Sequence, residues 1–113
     1  MASNEQTTKA LLAAMAQACE NIIAVASPFA AACDFANQEN AADNIYMNLV
    51  IISELYAKND DDTKARLATV NWTEIKRNID IVTADYKNAD QKVLFYVSKS
   101  LIPRLKDRID ELI

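Results

Sequence analysis

The chain contains no glycine, and that absence removes most ways of building a tight β-hairpin. Two-residue hairpin turns of the favoured types need positive φ at one or both central positions, which glycine adopts freely and a residue with a Cβ resists. Proline is scarce as well, with only Pro28 and Pro103 in 113 residues, so few positions interrupt a helix. Helices joined by short polar connections are what remains. A chain of this length suits one domain with a core of its own.

Apolar spacing places the helices. A first helix is predicted from about Asn4 to Ser27, with Leu11 or Leu12, Met15, Cys19, Ile22 and Ile23 recurring at three- and four-residue steps. Pro28 breaks or kinks it, and Ser27 can cap a short second piece that carries Phe29, Cys33 and Phe35 to the polar run Asn37 to Asn40. From about Ala41 to Lys58 the residues Ile45, Leu49, Ile52 and Tyr56 share one face. Val50, Ile51 and Leu55 make this helix apolar nearly all round, which suits the middle of a bundle or a subunit interface. Asn59-Asp60-Asp61-Asp62 marks a turn and an acidic start to a short helix through Lys64 to Ala68. Asn71, with Glu74 three residues on, resembles a capping box opening a helix whose face holds Trp72, Ile75, Ile79, Val82 and Tyr86. The last run, Ala89 to Leu112, repeats Val93, Val97, Leu101, Leu105, Ile109 and Leu112. Pro103 predicts a kink or restart there. The fold class expected is all-α: an up-and-down four-helix bundle with one or two short extra helices.

Charge narrows the partners. The net charge of −4 repels nucleic-acid phosphates, so non-specific binding of RNA or DNA is disfavoured. The basic residues Lys64, Arg66, Lys76, Arg77, Lys99, Arg104, Lys106 and Arg108 all fall in the second half, at spacings that suit a solvated helix surface. Cys19 and Cys33 lack metal-ligand spacing and read as small buried thiols of a cytoplasmic protein. No transmembrane span is predicted: the most apolar stretch, Ile22 to Ala36, is interrupted by Ser27, Pro28 and Asp34. Leu11 to Ala18 resembles a signal-peptide core only superficially, with Glu5 ahead of it and helical spacing after it.

The missing side chains exclude much chemistry. Without histidine there is no Ser-His or Cys-His pair and no imidazole metal ligand, and without glycine there is no phosphate-cradling loop. No metal or cofactor is predicted. Among carboxylates, Asp43 and Glu54 lie on the apolar helix. Glu54 is expected to be buried there and to need an Arg or Lys partner, as a structural ion pair or helix cap. Tyr46, Tyr56, Tyr86, Tyr96 and Trp72 are expected in the core or at an interface.

From Asn44 onward an ordered set of residues resembles a known family. Asn48-Leu49-Val50-Ile51-Ile52-Ser53-Glu54 is similar to a central-helix motif Asn-Leu-x-Ile-Ile-Gly-Glu, with Ser in place of Gly. Trp72 matches a tryptophan opening the following helix, and Tyr86, Asp90, Phe95 and Pro103 follow it at the family's spacing. Leu101-Ile102-Pro103-Arg104-Leu105 continues into a Leu-Pro-x-Leu-x-x-x-Ile-like ending. The pattern is that of the HepT-like branch of the HEPN superfamily, and it covers roughly Asp43 to Ile113. The resemblance implies a HEPN-like helical bundle, a homodimer, and a nucleotidyltransferase-type partner in a toxin-antitoxin pair. It also implies that Tyr86 stands where the family's tyrosine accepts a nucleotidyl group, although Tyr86 also continues the apolar face that Trp72 begins.

The resemblance fails at the family's two catalytic places. Ile79 stands where the family has arginine and Ala84 where it has histidine. An alkyl chain and a methyl group can neither stabilise a phosphate nor move a proton. The expectation is therefore a non-catalytic dimeric module. Two other readings are an RNase that uses Arg77 or Lys76 with Asp80 or Asp85, and a plain helical interaction protein unrelated to the family.

Overall fold

The computed structural model describes residues 2–31, 39–67, 72–84 and 91–113. They form α1 (Ala2–Ala26), α2 (Glu39–Lys58), α3 (Asp61–Leu67), α4 (Trp72–Ala84), α5 (Gln91–Tyr96) and α6 (Ile102–Leu112), with a π-helical turn, Val97–Leu101, joining α5 to α6. No strand occurs among the described residues. The molecule is an all-α helical bundle.

Each long helix turns one stripe inward. On α1, Leu12, Met15, Cys19, Ile22 and Ala26 recur at three- and four-residue steps and are buried. They join Ile45, Leu49 and Ile52 of α2, Trp72, Ile75 and Ile79 of α4, and Leu101, Leu105 and Ile109 of the last run in one contiguous core. Each fully buried Leu or Ile contributes about 1.5–3 kcal/mol relative to exposure.

Cross-contacts fix directions. Asn21 of α1 donates to Asn48 of α2 (3.2 Å), while Asn59, just past α2, reaches back to the Met15 sulfur (3.5 Å), so α1 and α2 run antiparallel. Lys99 donates to the Ser27 carbonyl (3.4 Å) and Lys106 pairs with Glu20 (3.4 Å), so the last run is antiparallel to α1 as well. α4 packs on α2 and on the π turn. At its start Trp72 stacks on Tyr56 with ring centroids 4.0 Å apart.

Pro103 explains the π turn. Proline lacks an N–H, and its ring collides with the carbonyl four residues earlier in a regular helix. Here the Ile102 N–H bonds to the Val97 carbonyl, five residues back, and Pro103 falls in the first turn of α6. The wider turn lets the chain restart as a helix without leaving the bundle. Ser98, buried inside it, donates its hydroxyl to the Leu94 carbonyl at 2.8 Å.

The short helix starts within the acidic run, as expected: it begins at Asp61, and Asp60 accepts the Thr63 N–H at 2.8 Å and caps it. In the single chain α2 leaves Met47 61% and Ile51 42% exposed. One expectation of the chain's apolar segments needs correction. The sequence showed no membrane-length segment, yet Gln6–Ala26 is long and apolar enough by composition to cross a membrane. Much of its apolar content is alanine, and its large side chains are spent on the core stripe. Cys33, Phe35 and the Asn71 cap lie outside the described residues.

Candidate interaction surface

α4 positions the residues that sequence reasoning singled out. At 100° per residue, Trp72, Ile75 and Ile79 point inward, and Thr73, Arg77, Asp80 and Ala84, spaced four, three and four apart, point outward. Ile81, on the flank, is 51% exposed. An open groove of about 530 Å³ follows this outer face, lined by Trp72, Thr73, Lys76, Arg77, Asp80, Ile81 and Ala84.

Ile79 and Ala84, the two positions compared with a catalytic pair in the sequence, part company here. Ile79 is fully buried in the core, whereas Ala84 is exposed and borders the groove. Five residues separate them, which turns their side chains about 140° apart around the helix. Tyr86 and Asp85 lie outside the described residues.

Arg77 is exposed and forms no ion pair among the described residues. Its neighbour Lys76 donates to both oxygens of Asp80, at 2.7 and 2.9 Å. Other cations close on acids of their own helix: Arg66 on Asp62 (3.0 Å), Arg108 on Glu111 (2.8 Å) and Lys106 on Asp110 (2.7 Å). Of the eight basic residues singled out in the second half, Arg66, Lys76, Lys106 and Arg108 thus have an acid on their own helix.

Glu54 is exposed, against expectation, and pairs with no cation among the described residues. Nine residues after Ile45, it lies about half a turn away from the core stripe of α2, so apolar neighbours in sequence do not surround it in space. Sequence reasoning also missed the amide chain beside it. Gln17 donates to Asn21 (3.0 Å), Asn21 to Asn48, and Asn48 to the side chain of Asn44 (2.9 Å). Four amides at i,i+4 spacing on two helices were the signal available.

Proton affinities reflect packing. Burial pushes the Cys19 thiol up to about 12, against the nearby positive charge of Lys106, so Cys19 is not a ready nucleophile. Burial also raises Tyr56, whose ring carries the Lys64 ammonium 5.6 Å from its centroid and stacks on Trp72. Tyr96 is raised because its hydroxyl donates to Glu74 at 2.6 Å. Hydrogen bonds from Thr63 hold Asp60 below the usual carboxylate range. Among the described residues no group of three His, Cys, Asp or Glu could hold a metal ion.

Comparison with protein-family models, with curated proteins and with solved structures gives no match in any of the three.

Proposed function

We propose that the protein is a non-catalytic helical interaction module: a degenerate HepT-like member of the HEPN superfamily that acts in the cytoplasm as a homodimer and does not cleave RNA. One observation carries this reading. Where an RNase of that family needs a cation and an imidazole, the sequence holds an alkyl chain, Ile79, and a methyl group, Ala84. Neither can stabilise a scissile phosphate or transfer a proton. Ala84 borders the groove, whereas the full burial of Ile79 counts against the register at that place, since a phosphate-binding arginine has to reach the surface.

Other features agree with the scaffold part of the reading. Trp72 opens α4, Leu49 and Ile52 of the central-helix motif are buried, Phe95 packs against the core, and Pro103 stands in the first turn of α6. Large apolar side chains left in solvent, Met47, Ile51 and Ile81, are the kind of surface a protein partner covers. The partner proposed is a second copy, and a nucleotidyltransferase-type protein is a further candidate ligand; Tyr86, which continues the apolar face of α4 in sequence, reads first as a packing residue.

Two measurements test this. Purified protein incubated with a pool of RNAs is expected to leave them intact. Cleavage that disappears in Arg77→Glu would replace this reading with an RNase built on the outer face of α4. Light scattering is expected to give twice the chain mass, and a monomer at every concentration would remove the dimer.

A further inference from the structure

We infer that the dimer is closed by the outer face of α4 packing antiparallel on its own copy, with Arg77 of each chain paired to Asp80 of the other. This rests on the homodimer proposed above and names its interface.

Thr73, Arg77, Asp80 and Ala84 recur at four-three-four spacing, the spacing that keeps one seam of a helix facing a partner helix. Their order makes the seam self-complementary. A two-fold axis crossing α4 midway between residues 78 and 79 sets Arg77 opposite Asp80 of the copy, and Thr73 opposite Ala84, each pair occurring twice. The charges match at the centre, and small side chains at both ends let the helix backbones approach. A parallel arrangement would set like charges against each other, so the pattern selects direction as well as partner.

The local geometry leaves Arg77 available for this role. It is exposed, beside the groove, and forms no ion pair among the described residues. Asp80 already receives Lys76, but a carboxylate offers about four lone-pair sites and can accept a guanidinium too. The match favours a second copy over nucleic acid as the seam's occupant, because Asp80 would face phosphate. A face of thirteen residues is about 20 Å long and falls short of the roughly 800 Å² per partner of a standard stable interface. The association is therefore concentration-dependent and weakened by salt.

Sedimentation across a concentration series, at low and at high salt, reads this directly. Arg77→Asp and Asp80→Arg each oppose like charges twice and are expected to raise the dimer Kd by roughly tenfold or more. The double swap, R77D/D80R, is expected to bring Kd back to within about threefold of the natural protein. Circular dichroism checks that all three variants keep their helix content. If the natural protein dimerises but the double swap does not recover what the single changes lose, the α4 seam is wrong while the dimer stands. Dissociation by M47E/I51E, with R77D neutral, would likewise move the interface to α2. A natural protein that is monomeric throughout the series overturns the dimer itself, and the seam with it.

Discussion

The α6–α1 seam and the outer face of α4 handle charge in opposite ways. On α6 the apolar residues Ile102, Leu105 and Ile109 are buried, and the neighbouring ions close within the chain: Lys106 bridges Asp110 and Glu20, and Arg108 meets Glu111. α4 has an equally clean inner stripe, but its outer stripe alternates a cation and an anion at helix-pairing spacing, and Arg77 has no acid among the described residues. Arg104 and Asp107 of α6 form no ion pair among the described residues either, so the contrast lies between Lys106, which meets acids of its own helix and of α1, and Arg77, which meets no acid among the described residues.

The severest way to break that comparison is Ile79→Arg, which puts a cation on the inner face of α4. Ile79 is a fully buried core residue, and an unpaired guanidinium there costs on the order of 3–5 kcal/mol in addition to the lost packing. A domain of this size has about 5–15 kcal/mol to lose. The expected result is loss of cooperative thermal unfolding. A variant that melts like the natural protein would show that position 79 reaches solvent, and the division of α4 into inner and outer faces would fall.

Next comes Leu105→Ala on α6, a buried leucine of the α6–α1 seam. Truncation to alanine removes buried methylenes and leaves a cavity, a loss of about 2–5 kcal/mol. Urea denaturation should show a lower midpoint with an unchanged slope. A loss below about 1 kcal/mol would mean that the seam collapses around the gap and is less tightly packed than α4.

A pH series sharpens the same contrast. The unfolded chain releases the Cys19 proton above its ordinary pKa of 9.0, whereas the folded chain holds it until about 12. Over that window the unfolded state binds fewer protons, so stability falls as pH rises, by about 1.4 kcal/mol per pH unit from this group. Lys106 acts in the same direction at higher pH. Its folded pKa is raised, chiefly by the hydrogen bond to Asp110, so its contribution is present below the ordinary 10.5 and is lost above it. Replacing Cys19 by alanine is expected to flatten the alkaline decline measured by urea unfolding from pH 9.0 upward. An identical slope in both proteins would mean that the thiol titrates freely and that the seam is wet.

How legible all this was in the sequence depends on what each feature answers to. The inner stripes of α1, α4 and α6 follow from helical periodicity alone, and the all-α class from missing glycine and scarce proline. The exposure of Glu54 was also available, since it sits half a turn from Ile45 and Leu49, but a run of apolar neighbours in sequence disguised it. Met47 and Ile51 show the converse: apolar character does not say which side of a helix has company. The π turn answers to Pro103 together with the packing of Val97 and Leu101, and only the proline can be read from the sequence. At the candidate surface the spacing of Arg77 and Asp80 was visible, and so was the burial of Ile79, which shares the apolar face of Trp72 and Ile75.

The smallest expected effect belongs to Ala84→His on the outer face of the same helix. Ala84 is exposed at the rim of the groove, so an imidazole there displaces no core atom and desolvates no charge. Stability measured at dilutions where the chain is monomeric should stay within about 0.5 kcal/mol of the natural protein, as for surface substitutions generally, while the larger side chain opposite Thr73 of the copy is expected to weaken the proposed dimer. Adding a polar, ionisable side chain is thus expected to be ruinous for the fold at position 79 and nearly silent for it five residues later. Because the two side chains diverge by about 140° around one helix, that asymmetry follows from geometry and not from the motif. A loss above about 2 kcal/mol in Ala84→His would place position 84 against a packed surface and remove it from the outer seam that Arg77 and Asp80 define.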